Sequence, residues 1–338
     1  MADTILYDSA MRLFGDLVTP EVSADAERGA WPDRLWRAVE EAGYPEVLAE
    51  GAAGMVEAAT ILRAAGHHAA PIPLAETMLA RWLCAACEIE APAGALTIGP
   101  VEPEDRIDIA EGAVSGHAGY IPWGCAAAAV VLIAGNTLLA VPQGAANFTP
   151  GKNLAGEPRD DLSAVEPGGR SAPLPDAIDV RLVQRFGALF RAAQMAGAME
   201  AALALSTRYA NDRIHFGRPI AKFQALQQQL ALLAEQAAAA SVAVESAASA
   251  TAADRPSSEL AVAAAKIRAG EAAGKVAEIA HQVHGAIGFT HEHSLHRLTR
   301  RLWSWRDEFG NESHWSRELG SAVMAAGAHA LWPTITAG

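Results

Sequence analysis

From the start of the chain to residue 92, apolar residues recur at helical spacing. Leu35, Trp36, Val39 and Ala42 share one face of a helix that Asp33 opens and Gly43 stops. A second helix is expected over Met55 to Ala65 and a third over Leu74 to Cys87, beyond the Pro71-Ile72-Pro73 break, so residues 1–92 read as a small helical domain. The period then changes. Val130-Val131-Leu132-Ile133 and Thr137-Leu138-Leu139-Ala140-Val141 flank Gly135-Asn136, the pattern of a β-hairpin. Further short strands are expected around Ala95 to Ile98 and Arg106 to Ile109, and prolines and glycines are frequent from Pro142 to Pro175, so residues 93–178 read as a small β domain. Helical periodicity returns near Val180, with alanine-rich runs over Leu226 to Ala250 and Leu260 to Ala280. Asp254-Arg255-Pro256-Ser257-Ser258 between them supplies a break and an N-cap. Residues 179–338 therefore read as a helical bundle, and the whole as a mainly α fold with a middle β domain.

Composition narrows the function classes. With 51% hydrophobic and 19% charged residues over 338 positions, the chain has the make-up of a packed protein. The 26 basic against 39 acidic residues leave a net charge of −13, which repels phosphate backbones and anionic lipid, so neither nucleic acid nor membrane is an expected partner. No apolar run suggests a bilayer span, and Met1-Ala2-Asp3-Thr4 lacks the start of a signal peptide, so a cytoplasmic location is expected. Cys84, Cys87 and Cys125 suit a reducing compartment. The Cys84/Cys87 pair sits in an alanine-rich helix with no second ligand pair and reads as core packing. His291-Glu292-His293 with His296 is not a metalloprotease motif. These histidines are expected to face solvent at a helix start or to pair with nearby acids, and no metal is expected.

The chain has no GxGxxG after a strand, no GxxxxGK[ST] and no GxSxG. Two other motifs stand out. Arg208 to Ile220 reads RYANDRIHFGRPI and is followed by Phe223-Gln224; Gln282 to Thr290 reads QVHGAIGFT. Arg213 beside a glycine turn can grip a phosphate through its planar fork, and Gly285 permits close backbone approach. In this order the two motifs resemble RxxFGxPIxxFQ and QxxGGxGF of the acyl-CoA dehydrogenase family. The resemblance implies a helical N-terminal domain, a middle β-barrel or sheet domain and a C-terminal four-helix bundle. It also implies FAD as cofactor, an acyl-CoA substrate and an electron-transferring flavoprotein as acceptor. Residue by residue, it implies that Arg213, Phe216, Gln224, Gln282 and Gly285 contact FAD held mainly by a neighbouring subunit, with Ala286 standing where the family has its second glycine.

Two positions depart from the family pattern. Counting forward from Gln282, the family's catalytic glutamate falls on Phe309, with Gly310 and Asn311 following. Counting back from Arg213, the alternative base position on the first bundle helix falls near Gly187, with no carboxylate between Val180 and Gln194. Abstraction of an α-proton needs a carboxylate, which phenylalanine cannot supply. Glu308 and Glu312 are the nearest candidates. The flavin-contacting loop of the middle domain is not recognisable. The pattern resembles the shorter subunit of heteromeric acyl-CoA dehydrogenases of steroid side-chain breakdown, which completes a flavin site for its partner. That resemblance implies a homo- or hetero-oligomer, with a tetramer favoured. The alternatives are an active homo-oligomer using Glu308 or Glu312, and a flavin-free structural or regulatory chain.

Overall fold

The computed structural model describes residues 2–49, 51–101, 105–110, 113–165 and 168–336. Five helices come first: α1 (Ala2–Leu17), α2 (Pro20–Glu27), α3 (Asp33–Glu41), α4 (Met55–His67) and α5 (Leu74–Ala86). In α3, Leu35, Trp36 and Val39 are buried as the periodicity predicts, and Gly43 beyond its end takes φ +72°. Cys84 is buried in α5, and Cys87 is half-buried just past its end.

Eight strands follow: β1 (Leu96–Gly99), β2 (Arg106–Ala110), β3 (Ala113–Pro122), β4 (Ala129–Ala134), β5 (Thr137–Pro142), β6 (Ala146–Thr149), β7 (Arg159–Val165) and β8 (Arg170–Pro173). They form two four-stranded sheets, ordered β1-β4-β5-β8 and β2-β3-β7-β6. The expected hairpin is β4–β5, closing at Ala134 opposite Thr137 across Gly135-Asn136. Its strands are apolar on both faces because both faces are covered. Val130, Leu132, Leu139 and Val141 meet Ile107, Ile121 and Leu162 of the second sheet. Val131, Ile133, Leu138 and Ala140 join the main core.

The C-terminal part comprises α6 (Val180–Asp212), a two-residue hairpin of β9 (Ile214–His215) and β10 (Arg218–Pro219), then α7 (Gln224–Ala252), α8 (Ser258–His284), α9 (Leu295–Asp307), α10 (Glu312–Ala326) and α11 (Ala328–Thr336). Asp179 caps α6, accepting from the Leu182 amide at 2.8 Å. The helix is the axis of the molecule, packed against α4, α7, α8 and α9. Where α4 and α6 cross, a Cβ on Gly66 would lie 2.0 Å from the Gln194 carbonyl and one on Gly197 1.8 Å from that of Arg63, so only glycine permits this approach.

Three expectations need correction. Ser257 precedes α8, but its hydroxyl makes no capping bond. By length and composition alone, α7 is apolar enough to cross a membrane, which the sequence reading did not anticipate. In the fold it buries Leu233, Ala237, Ala240 and Val244 within the bundle, and its alanines permit close contact with α8. Lastly, His296 does not face solvent. It is 9% exposed and donates through Nδ1 to the His293 carbonyl at 2.7 Å, not to an acid. Among the described residues no group of His, Cys, Asp and Glu could hold a metal.

Candidate functional site

Chain direction alone brings the two motifs to one end of the bundle, because α6 and α8 end where α7 begins. Contact confirms this: the rings of Tyr209, in the last turn of α6, and His284, the last residue of α8, stack at 4.7 Å and 26°. Arg213, Phe216 and Gln224 are all exposed at this end, Phe216 at 92%. The β9–β10 turn presents them, with Phe216 at φ +51° and Gly217 at φ +76°. Arg213 Nε donates to His215 Nε2 at 3.2 Å, and the Arg218 guanidinium lies 4.3 Å over the Phe223 ring.

Gln282, Gly285 and Ala286 are exposed as well. Gly285 adopts φ 63° and ψ −145°, a conformation that side chains disfavour, and has open space where a Cβ would stand. These residues line a groove of about 570 Å³ with Gly274, His281, Phe289 and Trp303. Phe289, 70% exposed, stacks on His281 at 4.2 Å. Sequence reasoning missed His281 and Trp303, since neither belongs to a motif. Two exposed turns with glycine-opened backbone and an available guanidinium suit an elongated ligand bearing phosphate, presented from outside the chain. The residues fit the outward half of a flavin dinucleotide site.

The second location lies inside. Phe309 is 1% exposed, at φ 55°, and its ring rests on α6 at Gly187. A Cβ on Gly187 would lie 2.2 Å from Phe309 Cδ1. The two positions where the resemblance locates a base are therefore in contact, and a phenyl ring fills the space between them.

Glu308, beside Phe309, turns into a buried ion network. Its carboxylate accepts from Arg159 Nε at 2.8 Å and Nη2 at 3.1 Å, and from Arg191 Nε at 2.6 Å. Arg191 also pairs with Glu76 and donates to Gln194 at 2.6 Å. Glu157 accepts from Arg159 Nη2 at 3.2 Å, Arg301 Nε at 2.9 Å and Trp305 Nε1 at 3.0 Å. Burial alone would raise the Glu157 carboxyl, but Arg301 and Arg159 outweigh it and hold it down at about 2. Burial likewise disfavours the charge on Arg191, yet Glu76 and Glu308 keep that guanidinium above its ordinary range. Three carboxylates and three guanidiniums from α5, α6, α9, β7 and the loops beside them thus form one network. Sequence reading passed over five of the six. The available signal was a lone charge inside an apolar run, as Arg191 stands in Phe190-Arg191-Ala192-Ala193.

Glu312 is equally engaged. It accepts from Arg306 Nε at 2.6 Å and lies over Gly270, where a Cβ would meet its Oε1 at 1.9 Å. Lys266, 1% exposed, donates to the carbonyls of Arg306 at 2.6 Å and Gly310 at 2.7 Å, clamping the loop that carries Phe309.

Comparison with known proteins agrees with this geometry. Residues 185–311 match the model of the acyl-CoA dehydrogenase C-terminal domain. The acyl-CoA dehydrogenase IpdE2 of Mycolicibacterium smegmatis is 31% identical over 324 residues, covering 91% of this chain and 96% of that protein. The chain belongs to the acyl-CoA dehydrogenase family. It is an oxidoreductase-family chain whose fold is shared over 97% of its length by a chain of the ChsE4-ChsE5 complex of Mycobacterium tuberculosis, with a TM-score of 0.84, 22% identity and 98% of that chain covered. A steroid acyl-CoA dehydrogenase variant, Tcur3481-Tcur3483, superposes with a TM-score of 0.83 at 23% identity, over 96% of this chain and 99% of the other. At the inward location the apolar ring of Phe309 rests on Gly187, at the two positions where the motif resemblance implies a base.

Proposed function

We propose that this chain is the flavin-completing subunit of an FAD-dependent acyl-CoA dehydrogenase that works as a hetero-oligomer. The observation that carries the proposal is the packing of Phe309 against Gly187, with Arg213, Gln282 and Gly285 facing outward at the bundle end. One half of a flavin site is offered to a neighbour, while the space for a base and thioester inside the chain is filled.

A bound FAD would supply the hydride acceptor for the β-hydrogen of the acyl group, with an electron-transferring flavoprotein as the expected final acceptor. This chain's part is to bind and orient. The Arg213 guanidinium holds a phosphate through charge-assisted bonds, Gly285 lets the backbone approach closely, and Gln224 and Gln282 supply amide donors. Phe216 and Phe289 cover apolar surface and exclude water. The proton acceptor comes from the partner, because Glu308 is tied to Arg159 and Arg191 and Glu312 to Arg306. The names of the similar proteins support a bulky, steroid-type acyl-CoA as the substrate class and a complex of two kinds of chain as the assembly.

The test is a comparison of the chain purified alone with the chain co-purified with its partner subunit. Flavin absorbance and turnover of acyl-CoA thioesters with an artificial electron acceptor are expected only in the second sample. Turnover by the lone chain that is lost in Glu312→Gln would make Glu312 the base and overturn the proposal; a colourless, inactive assembly would also overturn it.

A further inference from the structure

The bundle end holds a cluster of five histidines, of which the flavin-site reading involves only the groove-lining His281. His284, 3% exposed, lies between two rings: Tyr209 of α6 at 4.7 Å, and His293 of the loop before α9 at 4.6 Å and 66°. His284 Nδ1 donates to the Ala280 carbonyl at 2.8 Å, and its Nε2 is buried with no hydrogen-bond partner. His293 Nδ1 accepts from the Leu295 amide at 3.2 Å. His281 Nδ1 and His296 Nε2 are likewise buried without partners. The stack thus joins α6, which leads into Arg213, to α8, which leads into Gly285, and to the loop before α9.

We infer that the Tyr209–His284–His293 stack holds the two outward-facing turns in register, with His284 as a neutral positioning residue whose protonation loosens both turns. The inference rests on the reading of these turns as one half of a flavin site. The charges around the stack favour the neutral ring. The surrounding titratable groups are His281 from α8, His291 and Glu292 from the loop, His296, Arg297 and Arg300 from α9, Arg208 from α6 and Glu27 from α2. The two carboxylates offer His284 no ion pair: Glu27 pairs with Arg297 at 3.4 Å, and Glu292 is fully exposed. The carbonyl end of α8 favours a cation. Burial opposes it more strongly and, with His293 and His281, lowers His284 below the ordinary histidine value. Protonation of His284 therefore places a buried cation in a stack that, among the described residues, has no carboxylate paired to it.

The test is amide hydrogen exchange on the full chain, read separately over residues 208–217 and 282–289 at pH 7.5 and pH 5, corrected for intrinsic rates. His284→Ala should speed exchange about tenfold in both segments at pH 7.5, including the α6 end to which His284 does not belong. Tyr209→Ala should do the same from the other side. Wild type should show the acceleration only at pH 5, and His284→Phe, which keeps a ring without a titrating nitrogen, should stay protected at both. Loosening confined to 282–289 in His284→Ala would overturn the coupling. An acid response in His284→Phe equal to that of wild type would overturn the protonation step. Flavin content of the assembly is a separate measurement, so a colourless assembly would sink the functional proposal and leave the exchange result standing.

Discussion

Gly187→Ala adds a single methyl group to α6, and its effect on stability reports directly on the filled cleft. The new Cβ would stand 2.2, 2.3 and 2.6 Å from Cδ1, Cε1 and Cγ of Phe309, where relaxed carbon contacts need about 3.5 to 4.0 Å. The ring has little room to yield. Phe309 is 1% exposed, its carbonyl accepts from Trp315 Nε1 at 2.9 Å, and the next carbonyl is held by Lys266 at 2.7 Å. Overpacking of this kind costs about 1–3 kcal/mol. In mid-helix, alanine returns about 0.5–1 kcal/mol over glycine, so a net loss of about 1 kcal/mol is expected. Phe309→Ala alone leaves a cavity and should cost about 3–5 kcal/mol. In the double variant the methyl group added by Gly187→Ala enters that cavity, so the total should fall short of the sum of the two single losses by about 1–3 kcal/mol. Urea denaturation followed by far-ultraviolet circular dichroism, at one fixed protein concentration, measures all three. The sign decides: if Gly187→Ala is as stable as wild type or more so, only helix propensity is acting and the phenyl ring does not occupy the cleft.

Arg213→Ala should weaken flavin retention in the assembled protein by about 1.5–3 kcal/mol, roughly tenfold or more, with Arg208→Ala having the smaller effect; equal flavin absorbance per chain would remove Arg213 from the site. Sedimentation of the co-purified assembly at micromolar concentration should give a dimer or tetramer, and dissociation into monomers would contradict a flavin site completed between chains. Acid should unfold the protein through Glu157. Its folded carboxyl titrates at about 2, below its ordinary value of 4.5, so its contribution is complete above that ordinary value and is lost as pH falls from there toward 2. Glu157→Gln should flatten that limb of the acid unfolding curve.

The parts of the fold that could be read from sequence are those where one neighbour decides the pattern. Leu35, Trp36 and Val39 face a single core, and their helical period shows it. The β4–β5 hairpin was marked by Gly135-Asn136. β3 and β7 escaped because their residues alternate irregularly around a register shift between Ala118 and Ile121, which breaks the period of two. The outward half of the candidate site could be proposed from sequence because its motifs lie in contiguous turns. The inward half could not, since Glu76, Glu157, Arg191 and Glu308 come from four separate stretches and meet only in the folded chain. Phe309 was placed by counting from Gln282, but counting could not reveal that it would rest on Gly187.

That contact, together with the ion network, determines whether a base could be restored by one substitution. Glu76, Glu157 and Glu308 balance Arg159, Arg191 and Arg301, so the buried network is neutral when every member is ionised. Arg191, whose guanidinium lies 5.6 Å from the Phe309 ring centroid, already pairs with Glu76 and Glu308. Lys266 is engaged by the carbonyls of Arg306 and Gly310. A carboxylate introduced by Phe309→Glu would therefore be a fourth buried anion, and among the described residues the nearby buried cation that lacks a carboxylate, Lys266, is already held by the two loop carbonyls. Desolvation raises a carboxyl in such a place by as much as about 3–5 pH units, which leaves it protonated at neutral pH and unable to accept a proton from carbon. The lone Phe309→Glu chain is thus expected to fold less stably and to show no turnover of acyl-CoA thioesters between pH 6 and pH 8. Turnover in that range would mean that the network has spare positive charge and that the family's base position is still functional in this chain.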